Sequence, residues 1–294
     1  MSRTYPFVQV DVFTDRIFGG NQLAVFLEPE GLSNVEMQAI AREMNFSETT
    51  FVFPPTRQDA IARVRIFTPS AELPFAGHPT VGTAWVLANH GRVPANSREF
   101  ALEEGIGVVP VRLDGDTIWM SHRDAEFGPP VAARAEIAAA LGLKEQDLLD
   151  KQPISAGSTG VQFLYVPLAT RASVDRAEPN MRALAAAYQG ERQCVFIFAP
   201  DGPSNVYSRM FAGDIVGVAE DAATGSASGP LGAYVAENKV LTAPHPFEIT
   251  SLQGNKMGRP SHIRIRLDLR DGHASNIQVG GGVVPVLHGE LILP

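Results

Sequence analysis

Two segments of this chain pair an ionisable side chain with a run of small residues. Residues 72–79 read Glu-Leu-Pro-Phe-Ala-Gly-His-Pro, and residues 220–232 read Glu-Asp-Ala-Ala-Thr-Gly-Ser-Ala-Ser-Gly-Pro-Leu-Gly. Each follows an apolar stretch (residues 63–67 or 206–211) and leads into a helix-like one (residues 80–88 or 231–237). A strand, a tight loop and a helix start leave backbone N–H groups without helical partners and pointing one way, and the helix dipole favours negative charge there. The pattern describes two anion-binding loops, with donors around Gly77 on one and around Gly225 and Ser226 on the other. His78 stands on the first loop and Asp221 at the lip of the second. Proton transfer on a small carboxylate or zwitterion is the chemistry this inventory serves. Structural duties compete for the same residues. His78 before Pro79 also reads as a helix-start residue, Asp221 as a turn residue accepting loop N–H groups, and Ser226 as a loop donor.

Other catalytic patterns are missing from the sequence. It contains no P-loop, no His-Glu-x-x-His and no dinucleotide-binding glycine fingerprint. The run Gly225-Ser226-Ala227 puts alanine where the serine of a nucleophile elbow would stand.

The two loops belong to a longer internal repeat. Ala76-Gly77-His78 superposes on Thr224-Gly225-Ser226, and Ala84-Trp85-Val86 on Ala233-Tyr234-Val235 one inserted residue later. Upstream, residues 51–55 (Phe-Val-Phe-Pro-Pro) fall on residues 196–200 (Phe-Ile-Phe-Ala-Pro), and Phe67 falls on Phe211. The matches keep their order and the offset drifts by only a few residues, as loop insertions produce, so the chain reads as a duplicated half. A pseudo-twofold relation between the halves would face two helix starts across an inter-domain cleft, a site able to exclude water on closing.

At 294 residues, 45% apolar and 19% charged, the chain has the composition of a globular protein long enough for two medium domains. A net charge of −8 without any Lys/Arg run argues against a nucleic-acid partner. The single cysteine, Cys194, excludes an internal disulfide and a Cys-rich metal site. The first residues run directly into an alternating strand, with no signal-like apolar region and no stretch of membrane-spanning length, which predicts a cytoplasmic protein that does not engage the membrane.

The elements that must carry the loops follow from periodicity. Strands are expected at residues 7–13, 23–27, 51–53, 61–67, 107–113 and 117–121 in the first half. The second half is expected to hold strands at 162–167, 193–199, 206–211, 246–250 and 262–267, with a short final strand at 290–293. Ser33-Asn-Val-Glu36 is a capping box that opens a helix with Val35, Ile40, Ala41 and Met44 on one face. It ends near Asn45, leaving Ser47 and Glu48 in the connection that follows. Further helices are expected at residues 131–141 and 181–188. Residues 278–285, with three consecutive glycines, read as a crossing back to the first half. Many strands and few long helices describe an α+β fold with strands wrapped around a helix in each half.

Several motifs together resemble the phenazine-biosynthesis isomerase (PhzF) family. They are Asn-Phe-Ser-Glu-Thr at residues 45–49, Leu-Pro-Phe-Ala-Gly-His-Pro at 73–79 and Glu-Asp-Ala-Ala-Thr-Gly-Ser at 220–226, joined by Gly20-Asn21 and by residues 252–261. The likeness spans the chain in order. It implies the diaminopimelate-epimerase fold: two pseudo-symmetric domains, each a strongly curved, mostly antiparallel sheet around a central helix. The implied domains are residues 1–121 with 283–294, and residues 122–282, with the catalytic cleft between them. The resemblance further implies a homodimer without metal or organic cofactor. It implies Glu48 as the catalytic acid/base carboxylate, His78 and Asp221 as auxiliary catalytic groups lining the site with Ser226, and Ser226, Ser47, Asn21, Gly77 and Gly225 as substrate contacts. The implied reaction is isomerisation of trans-2,3-dihydro-3-hydroxyanthranilate, a proton shift between ring carbons that needs a carboxylate able to be reprotonated. Diaminopimelate epimerase and proline racemase use a thiol on each glycine loop, whereas these loops carry none, so two-thiol racemisation is excluded. Two alternatives stay open: an amino-acid epimerase or racemase using non-cysteine bases, and a non-catalytic small-ligand binding protein on the same fold.

Overall fold

The structure, a computed structural model, describes residues 2–188, 194–212, 219–241 and 247–294. The chain begins with β1 (Arg3–Val12), β2 (Asn21–Phe26), α1 (Asn34–Met44), β3 (Glu48–Phe53) and β4 (Ala62–Phe67). It continues through β5 (Glu72–Leu73), α2 (Gly77–Asn89), β6 (Glu99–Glu104), β7 (Gly107–Asp114) and β8 (Thr117–Ser121). Next come β9 (Glu126–Phe127), α3 (Arg134–Ala140), β10 (Ser155–Ser158), β11 (Gln162–Pro167), α4 (Arg171–Arg176) and α5 (Met181–Tyr188). The remainder holds β12 (Cys194–Pro200), β13 (Asn205–Phe211), β14 (Glu220–Asp221), α6 (Gly225–Glu237), β15 (Phe247–Gln253), β16 (Ser261–Arg270), β17 (His273–Gly281) and β18 (Val283–Leu293). Two compact units result: Met1–Ser121 with Gly280–Pro294, and His122–Val279.

The repeat seen in the sequence is a repeat of topology. In the first unit β1 pairs antiparallel with β2, β2 runs parallel to β3, and β3 is antiparallel to β4. Strand β4 then takes β5 antiparallel and β6 parallel, and β6 turns back into β7. In the second unit β10 and β11 are antiparallel, β11 runs parallel to β12, and β12 is antiparallel to β13. Strand β13 takes β14 antiparallel and β15 parallel, and β15 turns back into β16. Each parallel step carries helix between its strands, as a parallel connection requires. The order of steps is the same twice, an α+β fold of two similar halves.

In each half the sheet folds around one helix. α6 is buried at every residue except Glu237, and in α2 only Trp85, Ala88 and Asn89 escape burial. A helix with no polar face belongs in a core. Gly82 lets α2 approach the sheet: a Cβ there would lie 2.6 Å from Leu23 Cδ2 and 2.7 Å from Val12 Cγ2. Gly82→Ala is expected to lower stability by about 1–3 kcal/mol, because overpacking outweighs the gain in helix propensity. A urea midpoint at or above that of the parent would refute this.

The capping box forms as expected, with Ser33 receiving the Glu36 N–H and the Glu36 carboxylate receiving the Ser33 N–H. Arg3 also bonds the Glu36 carboxylate. The inward face is Met37, Ile40 and Ala41, packed on Tyr5, Phe26, Phe51 and Phe67. Val35 is a correction: it is 79% exposed. It precedes Met37 by two residues, roughly 200° around the helix.

Other boundaries shift for identifiable reasons. The final strand β18 covers Val283–Leu293 and pairs along the whole of β1, with a register shift between Gln9 and Val10 beside Pro285. Pro285 and Gly289 break its alternation, which hides the strand from periodicity. β6 went unexpected because Glu99, Glu103 and Glu104 flank its apolar residues. α6 begins at Gly225 rather than 231, so Pro230 lies inside the helix and has no N–H to offer the Ser226 carbonyl. Gln193 and Pro246, the expected starts of two strands, lie outside the described residues. No helix among the described residues is long and apolar enough to cross a membrane.

Candidate active site

In the first unit the loop after β1 sets Asn21. The Asp11 carboxylate accepts the Phe18 N–H at 2.7 Å, and Gly20 follows in the left-handed region at φ 59°. A Cβ at Gly20 would strike the Val12 carbonyl, so the tight entry into β2 requires glycine. Asn21 is thereby buried at the start of β2, opposite Val12.

His78 is the second residue of α2, after the extended Ala76 that caps the helix without a side-chain bond. The first-turn N–H groups of Gly77 and His78 have no partner within the helix, and Pro79 has none to satisfy. The imidazole is 3% exposed, its Nδ1 lying 3.1 Å from Asn21 Nδ2. Nε2 faces Glu48 Oε2 at 3.4 Å, longer than a good hydrogen bond. Burial pushes the His78 pKa down to about 3, and hydrogen bonding to the Gln22 backbone only partly offsets it. The imidazole is therefore neutral at pH 7, and its contact with Glu48 is polar rather than an ion pair.

Glu48 opens β3, paired with Leu23 of β2. The αL conformation of Asn45 (φ 53°) ends α1 and returns its N–H to Ala41, so Phe46 and Ser47 alone bridge helix and strand. That short turn leaves Ser47 half-buried and the Glu48 side chain 13% exposed, at the rim of the core. Asn21, Ser47, Glu48, Gly77 and His78 thus gather at one place in this unit, where β2, β3 and α2 begin.

The second unit builds an analogous group. β14 sets Asp221 opposite Met210, and Asp221 is buried. Thr224, which precedes α6, donates its hydroxyl to Asp221 Oδ2 at 2.7 Å instead of capping the helix. Gln253 from β15 clamps the turn. Its Nε2 donates to Asp221 O (2.9 Å) and Thr224 Oγ1 (2.9 Å), while its Oε1 accepts the Thr224 N–H (3.1 Å). Gly225 and buried Ser226 are the first two residues of α6. Arg209 of β13 grips Glu220 through two bonds of 2.8 Å and also donates to the Val174 and Ala177 carbonyls. Sequence reasoning missed Gln253 and Arg209, since their partners are distant in the chain.

These groups can accept and return protons and can hold an anion on helix-start N–H donors. Cys194 offers no thiolate base: burial, aided by the nearby Asp221 carboxylate, pushes its thiol up to about 11. Among the described residues no group of three or more His, Cys, Asp or Glu side chains is placed to hold a metal ion.

The family model described as "Phenazine biosynthesis-like protein" matches residues 10–289. A Pseudomonas aeruginosa protein named trans-2,3-dihydro-3-hydroxyanthranilate isomerase is 38% identical, covering 98% of this chain and 100% of that protein. A Bacillus anthracis phenazine biosynthesis protein of the PhzF family superposes with a TM-score of 0.87 at 28% identity, covering 99% and 100% of the two chains. A hydroxyproline epimerase from Agrobacterium vitis shares the fold, with a TM-score of 0.67 at 13% identity over 99% of this chain and 93% of that one.

Proposed function

This chain is an isomerase of the phenazine biosynthesis-like family, and we propose that it moves a proton between ring carbons of a small cyclic carboxylate of the trans-2,3-dihydro-3-hydroxyanthranilate type. The observation that carries this proposal is the Glu48 carboxylate set against a neutral, buried imidazole at the start of α2. Glu48 takes a proton from one carbon, the bonding pair is delocalised over the conjugated carboxylate, and the same side chain, now an acid, returns the proton at another carbon. His78 orients Glu48 and, being neutral, adds no charge that would hold Glu48 ionised. The Gly77 and His78 N–H groups at the start of α2 bind the substrate carboxylate and the charge that builds up on it. Asn21 fixes the His78 ring, and Ser47 supplies a further polar contact. On this proposal the enzyme is a cytoplasmic homodimer that needs no metal or organic cofactor. Neither thiol-free racemisation nor binding without turnover is favoured by any particular contact.

Proton NMR of the purified protein with trans-2,3-dihydro-3-hydroxyanthranilate in heavy water tests this directly. Consumption of the substrate with deuterium entering the ring is the expected result. Absence of turnover would remove this substrate, and turnover without deuterium entry would remove the proton shift through a solvent-exchanging carboxylate.

A further inference from the structure

Glu104 ends β6 at a position that the strand directs inward. Phe100 and Leu102, four and two residues earlier on the same face, are core residues, and Glu104 is only 5% exposed. Its Oε1 lies 2.7 Å from Thr80 Oγ1, and Thr80 is completely buried on α2. The same Thr80 oxygen lies 2.8 Å from the carbonyl oxygen of Ala76, the residue that caps α2 just before Gly77 and His78. A hydroxyl carries one proton and a carbonyl can only accept. That proton can serve only one of the two oxygens, so both contacts are hydrogen bonds only if Glu104 is protonated and donates to Thr80 while Thr80 donates to Ala76.

The surroundings agree with a neutral acid. Glu104 Oε2 is buried without a hydrogen-bond partner, a costly situation for an ionised oxygen. The charged residues lining the adjacent cavity with Glu104 are Arg63, Arg65, Glu72 and Glu103. Arg65 is engaged by Glu72 through bonds of 2.7 and 2.6 Å, and Arg63 lies over the Phe53 ring. Glu103 is held by the Thr56 side chain and by the Thr56 and Arg57 N–H groups. Burial raises the Glu104 carboxyl to about 8, against a smaller opposing contribution from Thr80.

We infer that Glu104 is a positioning residue of the site: as a neutral carboxylic acid it donates to Thr80, which donates to the Ala76 carbonyl, and this relay fixes the first turn of α2 that presents Gly77 and His78. The role in turnover rests on the function proposed above, whereas the relay itself does not.

The test compares Glu104→Gln, which replaces the acid O–H by an amide N–H of nearly the same shape, with Glu104→Leu, which removes the donor. Glutamine is expected to rescue, keeping kcat and KM within about twofold, whereas leucine lowers kcat/KM roughly tenfold to a hundredfold through misplacement of the first turn. The His78 ring nitrogen NMR shifts should move in the leucine variant and stay in the glutamine one. The infrared spectrum of the parent at neutral pH should carry the carbonyl stretch of a protonated carboxyl that Glu104→Gln abolishes. Loss of activity in Glu104→Gln equal to that in Glu104→Leu, or no such band in the parent, would overturn the inference. If Glu104→Leu does not fold, the band and the glutamine kinetics decide alone. If the parent fails to turn over the substrate, the infrared band and the His78 shifts still decide on the relay separately from the proposed function.

Discussion

Glu48→Gln is expected to lower kcat by about a thousandfold, within the usual range for removal of a general acid/base. The substitution keeps the shape of the side chain and an oxygen that can face His78 Nε2, so the rim of the core where Glu48 sits is left unchanged. What it removes is the only property the mechanism asks for, the ability to take a proton from carbon and give it back. Deuterium entry into the ring should vanish together with turnover, while the thermal midpoint stays within a degree or two of the parent. His78 cannot substitute. With its pKa near 3 it would be a weak base, and Asn21 occupies its Nδ1. A variant retaining most of its turnover, with deuterium still entering, would remove Glu48 from the chemistry.

The second large effect is a dependence of stability on pH that runs opposite to the usual behaviour of carboxylates. Glu104 is raised to about 8 in the folded protein, above the ordinary glutamate value, so between those limits the folded state holds a proton that the unfolded chain has lost. Stability contributed by Glu104 is therefore fully present at low pH and is lost as pH rises, at about 1.4 kcal/mol per pH unit. His78 has the opposite sign. Its folded value of about 3 lies below the ordinary histidine value of about 6.5, so stability is lost as pH falls through that window. Where the windows overlap the two slopes nearly cancel. As pH rises above about 6.5 the unfolded imidazole also loses its proton and Glu104 increasingly acts alone, so the first unit should lose about 1 kcal/mol between pH 6.5 and 8. Both tryptophans, Trp85 and Trp119, lie in that unit, so their fluorescence in urea titrations reports it selectively. Glu104→Gln should flatten the curve above pH 6.5. Parallel curves for parent and variant would show that Glu104 is ionised in the fold.

The two predictions differ in how far the sequence alone supports them. The glycine loops carrying His78 and Asp221 are legible because a helix start places demands on neighbouring residues at fixed spacing. The duplication is legible for the same reason: each half repeats a local grammar, and the topology repeats with it. The capping box at Ser33 and Glu36 is likewise a short-range signal. Glu48 has no such signature, since a carboxylate beyond a helix end is ordinary, and only the resemblance of the surrounding Asn-Phe-Ser-Glu-Thr singles it out. The exposure of Val35 shows the limit of counting apolar residues without placing them around the helix.

Order along the chain thus determined which elements form, that they form twice, and that each glycine loop meets a helix start. Tertiary structure alone decided the state of the titratable groups. His78 is neutral because β2 and β3 bury it beside Asn21 and Glu48, and the Asp221 turn is held by Gln253 from a strand formed later in the chain. Glu104 holds its proton because an inward strand position brings it to Thr80 and away from water. Charge depends on desolvation and on partners far apart in sequence, and those exist only once the sheets have closed around their helices.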